Sequence, residues 1–317
     1  MSYFPIQLFC MQPESYVPFN VFSKESDTYA LIVEKGDTFP RGLPGLVLSY
    51  QKNQPLVYIN EADKTLYYDY LEKTLASITQ DSNCTLTEKS KLIYDTSSKI
   101  ISDLFEKPES KEIIECTKSL VANTINVILS SESSIRSMME IGSHDYYTYT
   151  HSVDVAVFAI GFANYLNYSY ADISNIGYAA MMHDIGKSKI PTEIINKKGK
   201  LTEEEFTIIK NHPIYSYEIL QFHNEGNDDI LKGVRHHHEK ARGDGYPDKR
   251  IALYTHEFAK IIAISDIFSA LTTKRSYKEA LSSFNALQFM KQHIIDDIDE
   301  KLFKKFVQFM TTVSRKV

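Results

Sequence analysis

All ten histidines of this chain lie at or after His144, so any imidazole chemistry is confined to the second half. Five helix-like segments there each carry at least one group that can ligate a metal. "THSVDVAVFAIGFANYL" carries His151 at its start, "IGYAAMMHDIGKSKIP" has His183 and Asp184 before Gly186, and "EEEFTIIKNHPIYSYEIL" has His212 before Pro213. "DDILKGVRHHHEKARGDGYP" holds the run His236–His238, and "FAKIIAISDIFSALTTKRSY" holds Asp266. Successive ligands stand roughly 25–32 residues apart, about one helix plus one connection. That spacing suits side chains converging from several helices of a bundle on one internal point. No cysteine takes part, which disfavours a zinc–thiolate site and suits Fe, Mn, Zn, Ni or Co. A carboxylate such as Asp184 can bridge two metals, and a metal pair about 3.5–4 Å apart can clamp a phosphoryl group and activate water at neutral pH.

Taken singly, each residue has a blander reading. A lone histidine at a helix end is more often a packed core or capping residue. "HD" is a common dipeptide, and three adjacent histidines can form a solvated face. The weight rests on the joint pattern with "MMHDIGKSKIP" and "GYP".

From about Tyr149 to the C-terminus, seven pieces stand in a recognisable order: "HSVDVA", "HDIGKSKIP", "GKLTEEEF", "KNHP", "HHEKARGDGYP", "SDIFSALTTKRSYKEA" and "DIDEKLFKKF". This half resembles the HD-GYP branch of the HD phosphohydrolase superfamily. The resemblance implies a mainly α chain with a C-terminal HD-type helical bundle. It also implies hydrolysis of cyclic di-GMP to the linear dinucleotide pGpG and on to GMP. One metal would be held by His151, His183, Asp184 and Asp266, and a second by Asp184, His212, His237 and His238. Iron is the first expectation for both, with manganese, zinc or nickel as alternatives. Lys187 would reach the attacked phosphate or the activated water, making Lys187 and Asp184 the catalytic pair. Tyr246 of the GYP turn would contact substrate, and Arg275 and Lys278 would meet its phosphates, the arginine through its planar fork. His236 is then the supernumerary histidine, with a packing or supporting role.

Four departures from the family pattern stand out. The position four before His151 is Tyr147, not the glutamate of three-metal members, so two metals are expected. Arg242 replaces an aspartate ahead of the GYP turn, altering how that turn is held or adding a phosphate contact. Ser269 replaces an aspartate three residues after Asp266, and "TTKRSY" brings in Lys274 and Ser276. These changes motivate a second reading, a metal-containing cyclic-dinucleotide sensor or protein-docking module with weak catalysis. A third keeps the hydrolase and changes the nucleotide.

The elements that must position these residues are helical. From about Thr85 the apolar spacing is that of amphipathic helices, with Leu92, Ile93, Ile100, Ile101 and Leu104 on one face. Residues 81–140 read as a helical connector and 141–317 as the phosphohydrolase domain. The connector's apolar face suits core packing and is also compatible with a homodimer. Residues 1–80 read as a small α+β or β-rich regulatory domain. Its strands are expected in "YALIVEKGDTF", "GLVLSY" and "PLVYIN", and a helix in "EADKTLYYDYLEKTLASI". With 317 residues and 43% hydrophobic content, the chain can build a sizeable core. A net charge of −6 argues against a DNA or RNA polymer as partner but not against a small anion met by local cations. No stretch approaches a membrane span, and the N-terminus does not read as a signal peptide. Three scattered cysteines suit a reducing cytoplasm. The expected partners are therefore a small cyclic dinucleotide and other signalling proteins.

Overall fold

The computed structural model describes residues 2–25, 27–42, 49–51, 54–131, 133–142, 148–197, 199–225, 227–274 and 279–314. The chain divides into two compact units, Met1–Asn83 and Cys84–Val317.

In the first unit, strands β1 (Tyr3–Gln7), β2 (Val21–Glu25), β3 (Thr28–Val33), β4 (Ser49–Gln51) and β5 (Gln54–Asn60) precede helix α1 (Lys64–Gln80). The sheet is antiparallel in the order β1-β5-β2-β3, with β4 also paired to β5. Turn residues and β-branched runs reveal β3 and β5 in the sequence, but "YFPIQ" carries Pro5, which argues against a central strand. β1 ends the strand order, where a missing backbone donor is tolerated. Most of "GLVLSY" lies outside the described residues. Ile6, Phe19, Val57, Ile59, Tyr67 and Leu71 form the core of this unit. The ring of Tyr67 meets Phe4 and Phe19 edge-on at 6.5 and 6.0 Å.

The second unit is helical. It runs through α2 (Leu86–Glu106), α3 (Lys111–Ser130), α4 (Ser134–Gly142), α5 (Thr148–Tyr165), α6 (Tyr170–Met182) and α7 (Thr192–Ile195). It continues through α8 (Glu203–Ile209), α9 (His212–Phe222), α10 (Asp228–His236), α11 (Glu257–Thr272), α12 (Ser283–His293) and α13 (Glu300–Ser314). Side-chain caps start many of them: Thr85 and Glu88 form a reciprocal capping box on α2, as Thr202 and Glu205 do on α8. Ser110, Ser169, Asn227 and Ser282 cap α3, α6, α10 and α12. The helices read as a connector, α2 to α4, belong to this same unit. They bury Ile93, Ile100, Ile101 and Leu104 in it, with Leu92 half-buried.

Helix α5 is the axis of the unit. Every residue from His151 to Ala163 is buried, as expected of a helix apolar on all sides. It packs against α6 and α11, and Phe158, Phe162, Phe268 and Phe306 interlock edge-on with centroids 5.0–5.3 Å apart. His151 therefore projects from a rod that cannot shift without disturbing the whole core.

Candidate metal centre

Each candidate ligand sits at a helix end or on a buried helix face. His151 lies in the first turn of α5, and His183 caps the C-terminus of α6. Asp184 begins the 3-10 turn Ile185–Lys189, which passes under the start of α9. Gly186 makes that approach possible, since a Cβ there would stand 2.1 Å from the carbonyl oxygen of His212 and 2.4 Å from the amide of Ser216. Ser216 closes the contact, accepting from the Gly186 amide at 2.7 Å and donating to the His183 carbonyl at 2.8 Å. His212 opens α9, His237 caps the end of α10, His238 follows it, and Asp266 projects from mid-α11.

These elements bring their side chains to one buried place. His151, His183 and Asp266 offer ligand atoms within 4.8 Å of one another. So do His212, His237 and His238, and likewise His183, Asp184 and His237. His151, His183, Asp184, His212 and His237 are each about 1% exposed. His151 Nε2 lies 2.8 Å from Asp266 Oδ1, His212 Nε2 3.1 Å from Asp184 Oδ1, and His212 Nε2 3.2 Å from His237 Nε2.

The far ring nitrogens are fixed. His183, His212 and His237 place Nδ1 on the carbonyls of Ala180, Ile209 and Val234, each three residues earlier, at 2.6, 2.8 and 2.6 Å. A carbonyl only accepts, so in the neutral ring Nδ1 carries the hydrogen and Nε2 presents a lone pair to the centre. His183 Nε2 and Asp184 Oδ1 are buried with no hydrogen-bond partner. Lone pairs and carboxylates converging in a dry interior need a cation between them. The residues present thus fit divalent metals, and the all-N/O donor set suits first-row ions of the iron, manganese or zinc kind.

The electrostatics point the same way. Burial drives the imidazoles of His151, His212 and His237 below their ordinary value, and His238 down to about 3, which favours the neutral rings. Burial opposes the charge on Asp184, but Lys187 and His183 outweigh it and hold the carboxyl well below its usual range. Burial would also lower His183, yet the Asp184 charge wins and raises it. An open nitrogen beside a carboxylate attracts a cation.

Around this centre, Lys187 Nζ sits 2.5 Å from Asp184 Oδ2. Tyr246 stacks on His238 with centroids 4.7 Å apart and faces His212 edge-on at 6.4 Å. The Tyr246–Pro247 peptide is cis, and Gly245 packs so tightly that a Cβ would stand 2.4 Å from the Lys240 amide. The first histidine of the run faces elsewhere: His236 Nε2 meets Asp248 Oδ2 at 2.9 Å, beside Arg235 on the same carboxylate. Buried Glu239 accepts from the amides of Asp248 and Arg250 at 2.6 and 2.8 Å, pinning the turn from below. Sequence reading missed Glu239; its place between the histidine pair and the turn was the available signal.

Of the departures, Arg242 is engaged away from the histidines, on Asp297 at 2.5 Å, and holds the turn to the segment before α13. Lys274 pairs with Glu279 at 3.1 Å. Ser269 is wholly buried, with Oγ 2.9 Å from His151 Nδ1. Tyr147, Arg275, Ser276 and Lys278 lie outside the described residues.

The family model for the HD domain matches residues 135–302, just over half the chain. The chain belongs to the HD domain family. Its GYP turn and its relatives support the HD-GYP branch of that family. The chain is 31% identical over 185 residues to the cyclic di-GMP phosphodiesterase PA4108 of Pseudomonas aeruginosa, covering 57% of this chain and 44% of that one. It is 38% identical over 131 residues to the cyclic di-GMP phosphodiesterase response regulator RpfG of Xanthomonas campestris pv. campestris, covering 40% and 34%. It is 35% identical over 161 residues to the 3'3'-cGAMP-specific phosphodiesterase 3 of Vibrio cholerae, covering 50% and 34%. The chain thus spans less than half the length of these relatives. In fold it is similar to Bd1817, a HDG"Y"P protein from Bdellovibrio bacteriovorus, with a TM-score of 0.71 at 18% identity over 98% of this chain and 100% of that one. Among the described residues no helix is long and apolar enough to cross a membrane.

Proposed function

We propose that the chain is a metal-dependent phosphodiesterase that opens cyclic di-GMP to pGpG and cuts that on to GMP. The observation that carries this reading is the buried cluster of histidines and carboxylates, in which His183 Nε2 and Asp184 Oδ1 have no hydrogen-bond partner. Its grouping supports two metal positions. One is formed by His151, His183, Asp184 and Asp266, the other by Asp184, His212, His237 and His238, with Asp184 shared. Iron is the first choice of metal and manganese the second. When bound, a metal pair supplies Lewis acidity that stabilises charge on the transferring phosphoryl group and makes water nucleophilic at neutral pH.

The protein's own residues do the rest. Lys187 holds Asp184 in its ionised form and places a positive charge at the edge of the cluster, where a phosphate oxygen gains charge during in-line displacement. Tyr246, which burial pushes far above its ordinary value, keeps its phenolic proton and can donate it to a phosphate oxygen. Its stacking on His238 fixes the ring as a wall for substrate. Arg275 and Lys278 are assigned to the phosphates by family resemblance.

Turnover of cyclic di-GMP by iron- or manganese-loaded protein, with metal occupancy measured on the same sample, tests the proposal. No pGpG from fully loaded protein would overturn it, and tight nucleotide binding without product would make the protein a sensor. A second reading, 3'3'-cGAMP as substrate, is favoured by the Vibrio cholerae relatives. Comparing kcat/KM for the two dinucleotides decides between them.

A further inference from the structure

The histidines of the cluster are not held alike. For His183, His212 and His237 the far nitrogen rests on a backbone carbonyl, which dictates the tautomer. The far nitrogen of His151 rests on the hydroxyl of Ser269 at 2.9 Å, and a hydroxyl both donates and accepts. Its near nitrogen, Nε2, is 2.8 Å from Asp266 Oδ1, and an ionised carboxylate only accepts. In this arrangement Nε2 carries the hydrogen, and Ser269 donates to Nδ1. His151 is thus in the tautomer opposite to the other three and cannot ligate as it stands.

We infer that Ser269 is a positioning residue that allows His151 to exchange tautomers as metal enters, so that the two positions load in order. In that exchange the hydrogen on Nε2 leaves to solvent water as the metal takes its place, Nδ1 takes one hydrogen from solvent, and the ring stays neutral with no net proton released. Ser269 turns from donor to acceptor. No carbonyl could serve both states. His212 and His237 of the other position need no such change, because their Nε2 lone pairs already face each other at 3.2 Å. Two lone pairs that close repel, and a cation relieves them. The position at His151 and Asp266 must first break a buried hydrogen bond. The His212 position therefore fills first and binds tighter. This inference rests on the proposed two-metal reading and adds the order of loading and the residue that sets it.

The test is a manganese titration of the full, chelator-stripped chain, with free Mn(II) followed by electron paramagnetic resonance. Wild-type protein should take up two ions in two resolved steps; fewer than two would sink the two-metal reading itself. In Ser269→Ala the weaker step should weaken by about 10–100-fold, the usual effect of deleting a group that orients a ligand histidine, with the tighter step unchanged. Ser269→Thr, which keeps the hydroxyl, should restore the weaker step. Two ions bound with neither step altered in the alanine variant, or with both weakened equally, would overturn the role of Ser269. A second measurement needs no variant of Ser269. Nitrogen-15 spectra of histidine-labelled, metal-free wild type at pH 8, with His151 assigned through His151→Gln, should show His151 as the Nε2–H form. His183, His212 and His237 should show the Nδ1–H form. An Nδ1–H signal from metal-free His151 would refute the exchange.

Discussion

At the scale of single residues, charge and hydrogen-bond capacity explain more than residue type. Asp184 is the sharpest case, because its two oxygens serve different neighbours: Oδ2 meets Lys187, and Oδ1 faces His212 without a hydrogen bond. Asp184→Asn replaces one of those oxygens with a donor aimed at a lone pair or a cation. Metal content should fall below the wild-type value and hydrolysis by about a hundredfold or more, as metal analysis and product assay on one preparation would show. Asp154 behaves differently. It is buried beside α11, accepts from Tyr94 at 2.8 Å, and burial pushes its carboxyl up to about 8, against the downward pull of the Tyr94 and Thr273 hydroxyls. Its folded value lies above its unfolded one of 3.8, so the native state holds a proton that the unfolded chain has released. That contribution is fully present below pH 4 and is lost as pH rises towards 8, at up to about 1.4 kcal/mol per pH unit. Asp154→Asn, which still accepts from Tyr94, should remove this slope. Its Tm should match wild type near pH 4 and exceed it by several degrees at pH 8.5.

At the scale of elements, Glu239 holds the backbone of the GYP turn from below, beside the outer hold of Arg242 on Asp297. Glu239 accepts two part-buried backbone amides, those of Asp248 and Arg250. Glu239→Ala should cost about 1 kcal/mol for each lost hydrogen bond, seen as a lower Tm. It should also raise KM for the dinucleotide, since Tyr246 stands on this turn, while metal content changes little. Glu239→Gln, which keeps one acceptor, should fall between. Much of this architecture was legible beforehand. Helices α5, α6, α9, α10 and α11 were marked by apolar spacing, and their ends by the histidines themselves. The pairing of His237 and His238, rather than His236 with either, was implied by the family resemblance, which aligns the pair by its distance to the GYP turn. Three things were not legible. Pro5 masked an edge strand, because proline's cost depends on strand order, which no local pattern reveals. Arg242 left two readings open, a changed hold on the turn or an added phosphate contact, because its partner Asp297 lies 55 residues away. Ser269 looked like a loss of charge, and its meaning depends on which ring nitrogen it meets.

At the scale of the whole molecule, the clustered site residues all lie in Cys84–Val317. That unit carries its own core, from Ile93 and Leu104 through Phe162 to Phe306, and the first unit carries a separate one around Tyr67. It also begins cleanly: the Thr85–Glu88 capping box satisfies the first turn of α2 from inside the unit, at 2.8 Å from the Thr85 amide to the Glu88 carboxylate. A segment with its own core and a closed first turn has what a domain needs to fold alone. Residues 84–317 produced without the first unit should therefore bind the same number of metal ions as the full chain. They should hydrolyse cyclic di-GMP at a rate within roughly threefold of it, since no catalytic group has been removed. Metal content and kcat measured side by side distinguish the failures. Loss of both would mean that the second unit does not fold without the first. Retained metal with kcat down tenfold or more would mean that the first unit acts on the chemistry itself, a regulatory role exerted on an assembled centre. Deletion of the capping box within the shortened chain, Thr85→Ala, should then cost about 1 kcal/mol of stability and leave kcat unchanged, separating a frayed α2 from a disturbed site.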